Sequence, residues 1–74
     1  MEDDLRQTIL MSIHERGSLS YSELVEKFDM ISEKLLNYHL KVLDDFLSKN
    51  PEDQYVLTVK GQLALKFFSK FLLY

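Results

Sequence analysis

The stretch from Leu36 to Gly61, LNYHLKVLDDFLSKNPEDQYVLTVKG, constrains the fold of this chain most tightly. It reads in order as a helix with one polar face, a short strand, a tight turn, a second strand and a capped helix start. Asn50-Pro51-Glu52-Asp53 carries the turn chemistry, with Pro51 suited to the first central position. Leu47-Ser48-Lys49 and Gln54-Tyr55-Val56-Leu57 flank it as paired strands, and Thr58 is placed to cap the helix that follows.

The upstream half supplies two more helices and a turn. The first is expected over Asp4–Arg16, where Leu5, Ile9 and Ile13 recur every fourth residue and Leu10 and Met11 widen the apolar face. Asp3 and Asp4 suit the positive end of the helix dipole, and Gly17 is the natural stop. Ser20 to Glu23 has the spacing of a capping box, with Leu19 and Leu24 at the hydrophobic staple positions. Leu24, Val25 and Phe28 give this second helix its buried stripe, and it should end near Phe28. Asp29-Met30-Ile31 forms a turn, and Ser32 caps the third helix, with Ile31 and Leu36 as a second staple. At about 100° per residue, Leu36, Leu40, Leu43 and Leu47 share one line, with Leu35, Val42 and Phe46 beside it. Glu33, Lys34, Asn37, Tyr38, Lys41, Asp44 and Asp45 lie opposite, so this helix is expected to bury two flanks and expose one polar arc. The order predicts a mainly α fold with a small β-hairpin wing. That is a winged helix-turn-helix: a three-helix core plus a C-terminal helix, in one domain over residues 1–74.

Composition narrows the function classes. A domain near 60 residues buries only ~60% of its unfolded surface, so a chain of 74 residues often relies on a partner. The absence of cysteine excludes disulfides and thiolate metal sites. His14 and His39 are far apart and belong to no cluster with ligand spacing, so neither a metal nor a cofactor is expected. No nucleophile–base constellation or glycine-rich phosphate loop appears, and enzyme chemistry is not expected. The start, MEDDLRQTIL, lacks the blocks of a signal peptide, and no apolar run approaches the ~20 residues of a membrane span. A cytoplasmic protein is the expectation. Net charge is −3, unevenly spread: residues 1–59 hold 12 acids and 6 bases, whereas residues 60–74 hold Lys60, Lys66 and Lys70 and no acid. Any attraction to phosphate must therefore come from a local surface.

Several residues admit a plain reading and a sharper one. His39 lies beside the buried line of its helix, which favours a packed histidine with a hydrogen-bond partner over a ligand or a pH switch. His14, near the end of the first helix, is read as surface or dimer-edge packing. Adjacent carboxylates point about 100° apart on a helix, so Asp44 and Asp45 are a solvated helix end rather than a metal site. The last helix has Leu63, Ala64, Leu65, Phe67, Phe68, Phe71, Leu72 and Leu73 on more than one face. Its aromatic cluster could line a small-molecule pocket, but dimer core is the better reading. Leu65, Phe68, Phe71 and Leu72, assisted by Leu5, form the expected interface.

SYSELVEKF in the second helix, ISEKLLNYHLKVL in the third, and YVLTVKG at the second strand and last helix together resemble the arsenic-repressor-like (ArsR-like) winged helix domains of bacteria and archaea. The resemblance runs from about Leu5 to Leu72. Its most specific part is Tyr38-His39-Leu40-Lys41 with Leu43, followed after the hairpin by Leu57-Thr58 and Lys60-Gly61. It implies that the polar face of the third helix enters the major groove of double-stranded DNA, that the wing lies along the phosphates, and that the terminal helices form a homodimer. Lys34, Asn37, Tyr38 and Lys41 fall at base or phosphate contacts and Lys49 on the wing; with Ser32 they are the candidate DNA-contacting residues. The chain departs from the pattern in three places. Its turn before the third helix is one residue longer, Met30 being the candidate extra. Its wing tip carries Glu52 and Asp53, and the metal-sensing cysteine pairs are absent. The expectation is a DNA-binding transcriptional regulator. The alternative is a winged helix used for protein–protein contact within a transcription or chromatin assembly, which the acidic wing favours.

Overall fold

A capping box opens the second helix as the spacing predicts. In the computed structural model, Ser20 Oγ accepts from the Glu23 amide at 3.1 Å, and the Glu23 carboxylate accepts from the Ser20 amide at 2.9 Å. The structure describes the backbone of residues 2–72 and the side chains of residues 5–67. Within that range the elements run α1 (Glu2–Arg16), α2 (Tyr21–Lys27), α3 (Glu33–Val42), a 3-10 turn (Asp44–Phe46), β1 (Leu47–Lys49), β2 (Tyr55–Leu57) and α4 (Val59–Leu72). The fold is thus mainly helical with one antiparallel two-stranded hairpin.

Local chemistry sets most boundaries. Gly17, at φ +86°, ends α1, and its amide donates to the Ile13 carbonyl at 2.8 Å. Ser32 Oγ accepts from the Leu35 amide and starts α3. Asn50 organises the hairpin loop: its side-chain oxygen accepts from the amides of Glu52 and Gln54, at 3.0 and 2.9 Å. The strands pair Leu47 with Leu57, Ser48 with Val56 and Lys49 with Tyr55. A bridge then joins the hairpin to the α1–α2 junction, because Leu19 and Tyr55 exchange both backbone hydrogen bonds, at 3.1 and 2.7 Å.

The core takes Ile9, Leu10 and Ile13 from α1, Leu24 and Phe28 from the α2 region, and Leu36, Leu40 and Leu43 from the α3 region. Leu19, Leu47 and Leu65 close it from the junction, the hairpin and α4. Helix α4 begins with Thr58, whose Oγ accepts from the Gly61 amide and donates to the Asp45 carbonyl. Gly61 is there for closeness: a Cβ at this position would stand 2.3 Å from the Phe46 carbonyl oxygen.

Two expectations need correction. The α-helix ends at Val42, and Asp44–Phe46 tightens into a 3-10 turn, so Asp44 and Asp45 do not extend the polar face of α3. Leu47 is buried, and it opens the expected first strand. The second correction concerns burial. Leu35 and Val42 are 37% and 42% exposed, so α3 buries one flank rather than two. Leu36, His39, Leu40 and Leu43 already fill the side that faces the other helices. Leu35 and Val42 lie about 100° round from that line, where a domain this small has no further layer.

Candidate functional site

Helix α3 presents the candidate residues on one side. Lys34, Asn37, Tyr38 and Lys41 are all exposed, and at about 100° per residue they span an arc of roughly 100°. Ser32, also exposed, stands at the head of the same helix, where its hydroxyl is engaged as the cap. The opposite side is almost fully buried, which fixes the rotation of the helix and therefore the aim of the arc.

Lys49 sits apart from that arc, on β1. Its ammonium lies 3.3 Å from an Asp53 carboxylate oxygen and 4.9 Å from the centre of the Tyr55 ring. Asp53 reaches it because the loop holds that residue at φ +63°, the left-handed region that Asp tolerates better than most residues. The exposed tip therefore carries Glu52 and Asp53 around a lysine that is already paired.

His39 is fully buried and has the expected partner, the Arg6 Nε–H, which donates to Nδ1 at 3.3 Å. Nδ1 can accept only if unprotonated, so a neutral His39 carries its proton on Nε2. That buried nitrogen has no hydrogen-bond partner. An unmet buried donor costs about 1–3 kcal/mol, so His39 is a poorer core residue than an apolar one would be. Arg6 also stands over the Tyr38 ring, its guanidinium carbon 6.0 Å from the centre, and the Tyr38 and His39 rings meet edge to face at 5.4 Å. Sequence reasoning paired His39 with an unspecified partner and missed Arg6, which lies 33 residues away.

Elsewhere one acidic side chain, that of Glu23, serves the fold. The Glu23 carboxyl is held below its ordinary range, first by the Ser20 amide, then by the Ser20 hydroxyl, with a smaller pull from Arg16. Among the described residues no group of three His, Asp or Glu side chains is placed to hold a metal ion. No described helix is long and apolar enough to cross a membrane.

The expected dimer residues fare differently. Leu65 is 4% exposed and belongs to the core of the single chain, because it shares the inward side of α4 with Gly61. Leu5 is half-buried against the same core. The side chains of Phe68, Phe71 and Leu72 lie outside the described residues. The apolar side chains of α4 left uncovered within that range are Val59, Leu63 and Phe67, at 73%, 60% and 71% exposure. A groove of about 380 Å³ opens where α1, the end of α3 with its 3-10 turn, and α4 meet, lined by Arg6, Gln7, Leu10, Val42, Phe46 and Ala64, among others.

A four-helix domain with one antiparallel hairpin and an exposed polar arc on α3 is the class that these features define. Within it, the chain belongs to the DUF7347 family, a domain of unknown function whose family model matches residues 1–67. No curated protein and no solved structure matches the chain.

Proposed function

We propose that this chain is a winged helix-turn-helix domain that binds double-stranded DNA as a homodimer and regulates transcription. The observation that carries the reading is the α3 arc, where Lys34, Asn37, Tyr38 and Lys41 are exposed together on a helix whose other side is locked into the core. A helix of this kind fits a major groove, with Asn able to pair with adenine and lysines able to meet phosphate. The Leu19–Tyr55 bridge supports it by tying the hairpin to the segment just before α2, an anchorage that a wing would need. The uncovered Leu63 and Phe67 support a second copy against α4, which would set two α3 helices on successive grooves roughly 34 Å apart.

The paired state of Lys49 favours a second reading, a domain that docks on a protein through its acidic hairpin tip. Selection from random DNA at low salt separates the two. The DNA reading expects an enriched site, and Asn37→Ala should relax one position in each half-site at a cost of ~1–3 kcal/mol. Selection of nothing by the wild type gives the protein-docking reading the lead.

A further inference from the structure

We infer that Arg6, on α1, is a positioning residue for Tyr38 and so helps to set which bases the α3 arc discriminates; this rests on the DNA reading above. Arg6 bonds one of the two rings that meet at the edge of the arc and stands over the other. Its Nε–H donates to His39 Nδ1 at 3.3 Å, and its guanidinium stands 6.0 Å over the Tyr38 ring. The Tyr38 ring in turn meets His39 edge to face, at 65° between planes. Tyr38 is half exposed, whereas His39 is fully buried. One ring is therefore anchored in the core and the other reaches solvent, with Arg6 bridging the two.

The choice of residues is informative. A leucine at position 39 would fill a core site without an unmet donor, yet the chain places there a histidine whose Nε2 is buried and unpartnered. What the histidine adds over leucine is an acceptor facing Arg6 and an aromatic ring that meets Tyr38 edge to face. The chemistry of arginine suits both roles. Its planar guanidinium can donate in its own plane while its face covers a ring, which a lysine ammonium cannot do. Held in this way, the Tyr38 hydroxyl has a restricted reach from the helix. A base contact made by a constrained side chain discriminates better than one made by a freely rotating side chain.

The test compares Arg6→Lys and His39→Leu with the wild type on DNA. Selection with the wild type gives the site, and Tyr38→Ala identifies the base position that depends on Tyr38. Both variants should then lose discrimination at that same position, by about fivefold or more. Discrimination elsewhere and the salt slope should stay as in the wild type, since Arg6→Lys conserves charge. His39→Leu should unfold in urea no earlier than the wild type, so its loss of selectivity cannot be ascribed to unfolding. Wild-type discrimination in Arg6→Lys overturns the proposal. So does equal weakening on every sequence, which is the mark of a merely structural role. If the wild type selects no DNA, the DNA reading fails, and the positioning is judged from the Tyr38 ring resonances by NMR. Shifts in Arg6→Lys confined to the Tyr38 and His39 rings uphold it; unchanged ring resonances overturn it.

Discussion

Gly61→Ala gives the sharpest test of how α4 is seated. In an ordinary helix this change stabilises, by up to about 1 kcal/mol in the interior and less in the first turn. Here the added Cβ would lie 2.3 Å from the Phe46 carbonyl oxygen, 3.2 Å from its carbon and 3.3 Å from a Leu57 methyl. The nearest atom is backbone, so no side-chain rotation relieves the clash. That same carbonyl accepts from the Thr58 amide at 3.0 Å, which ties it to the start of α4. Relief requires α4 to move off the 3-10 turn by about 1 Å, loosening the Thr58 bond and the Leu65 contact. Overpacking typically costs about 1–3 kcal/mol and a weakened hydrogen bond roughly 1 kcal/mol. Against the small propensity gain, the net expectation is a loss of about 2 kcal/mol. A chain of 74 residues has of the order of 4–11 kcal/mol in all. The assay is urea unfolding at one fixed protein concentration, since any dimer would make the midpoint concentration-dependent. With a slope near 1 kcal/mol/M, the midpoint should fall by roughly 2 M. Gly17→Ala is the control with the opposite cause. It has open space but φ +86°, so it should lose about 1 kcal/mol through backbone strain, and Gly17→Asn should lose less. A Gly61→Ala protein as stable as the wild type would refute the close approach of α4 to Phe46.

Ser20→Ala should cost about 1 kcal/mol in urea unfolding, because the Glu23 amide loses its acceptor. Glu23 adds a pH dependence. Its carboxyl is depressed in the folded state, so its contribution is present above the unfolded-state pKa and lost as pH falls through the folded one. Urea midpoints taken down a pH series should therefore drop on the acid side, and Glu23→Gln should flatten that drop. Sedimentation at micromolar concentration should show a dimer, and Phe67→Lys should shift it to monomer without unfolding the chain; a wild-type monomer that stays folded removes the α4 interface.

What the sequence made legible was the chemistry that acts over three or four residues. Ser20, Ser32 and Thr58 cap the helices they were expected to cap, and Asn50 builds the expected turn. The end of α3 was harder. Leu36, Leu40, Leu43 and Leu47 keep a helical spacing past the point where the helix stops, because a 3-10 turn followed by a strand buries Leu47 all the same. Exposure of Leu35 and Val42 depends on what stands opposite them, which periodicity along one helix does not contain. Contacts between distant segments, Arg6 with His39 and Leu19 with Tyr55, left no pattern to read. Gly61 did leave a trace, a helix-disfavoured residue within the first turn of a helix, which often signals close packing. For the candidate site, the polar arc was legible and the residue behind it was not.

The Leu19–Tyr55 bridge also bears on the order in which the chain assembles. A hairpin with three residue pairs is too small to persist in water by itself. This one gains a third partner from before α2, reinforced by Ser18 Oγ donating to the Gln54 side chain across 36 residues. Closing so long a loop has an entropic cost that must be met before the bridge forms, so the hairpin is expected to join after the helices have collapsed. Once formed, the two segments should open together. Amide protons of Leu19 and Tyr55 are then expected to exchange with solvent as one cooperative unit, although each belongs to a different part of the sequence. A mutation at the α1–α2 junction will thus reach the hairpin tip through the stability of that unit, with no side chain of the tip being touched.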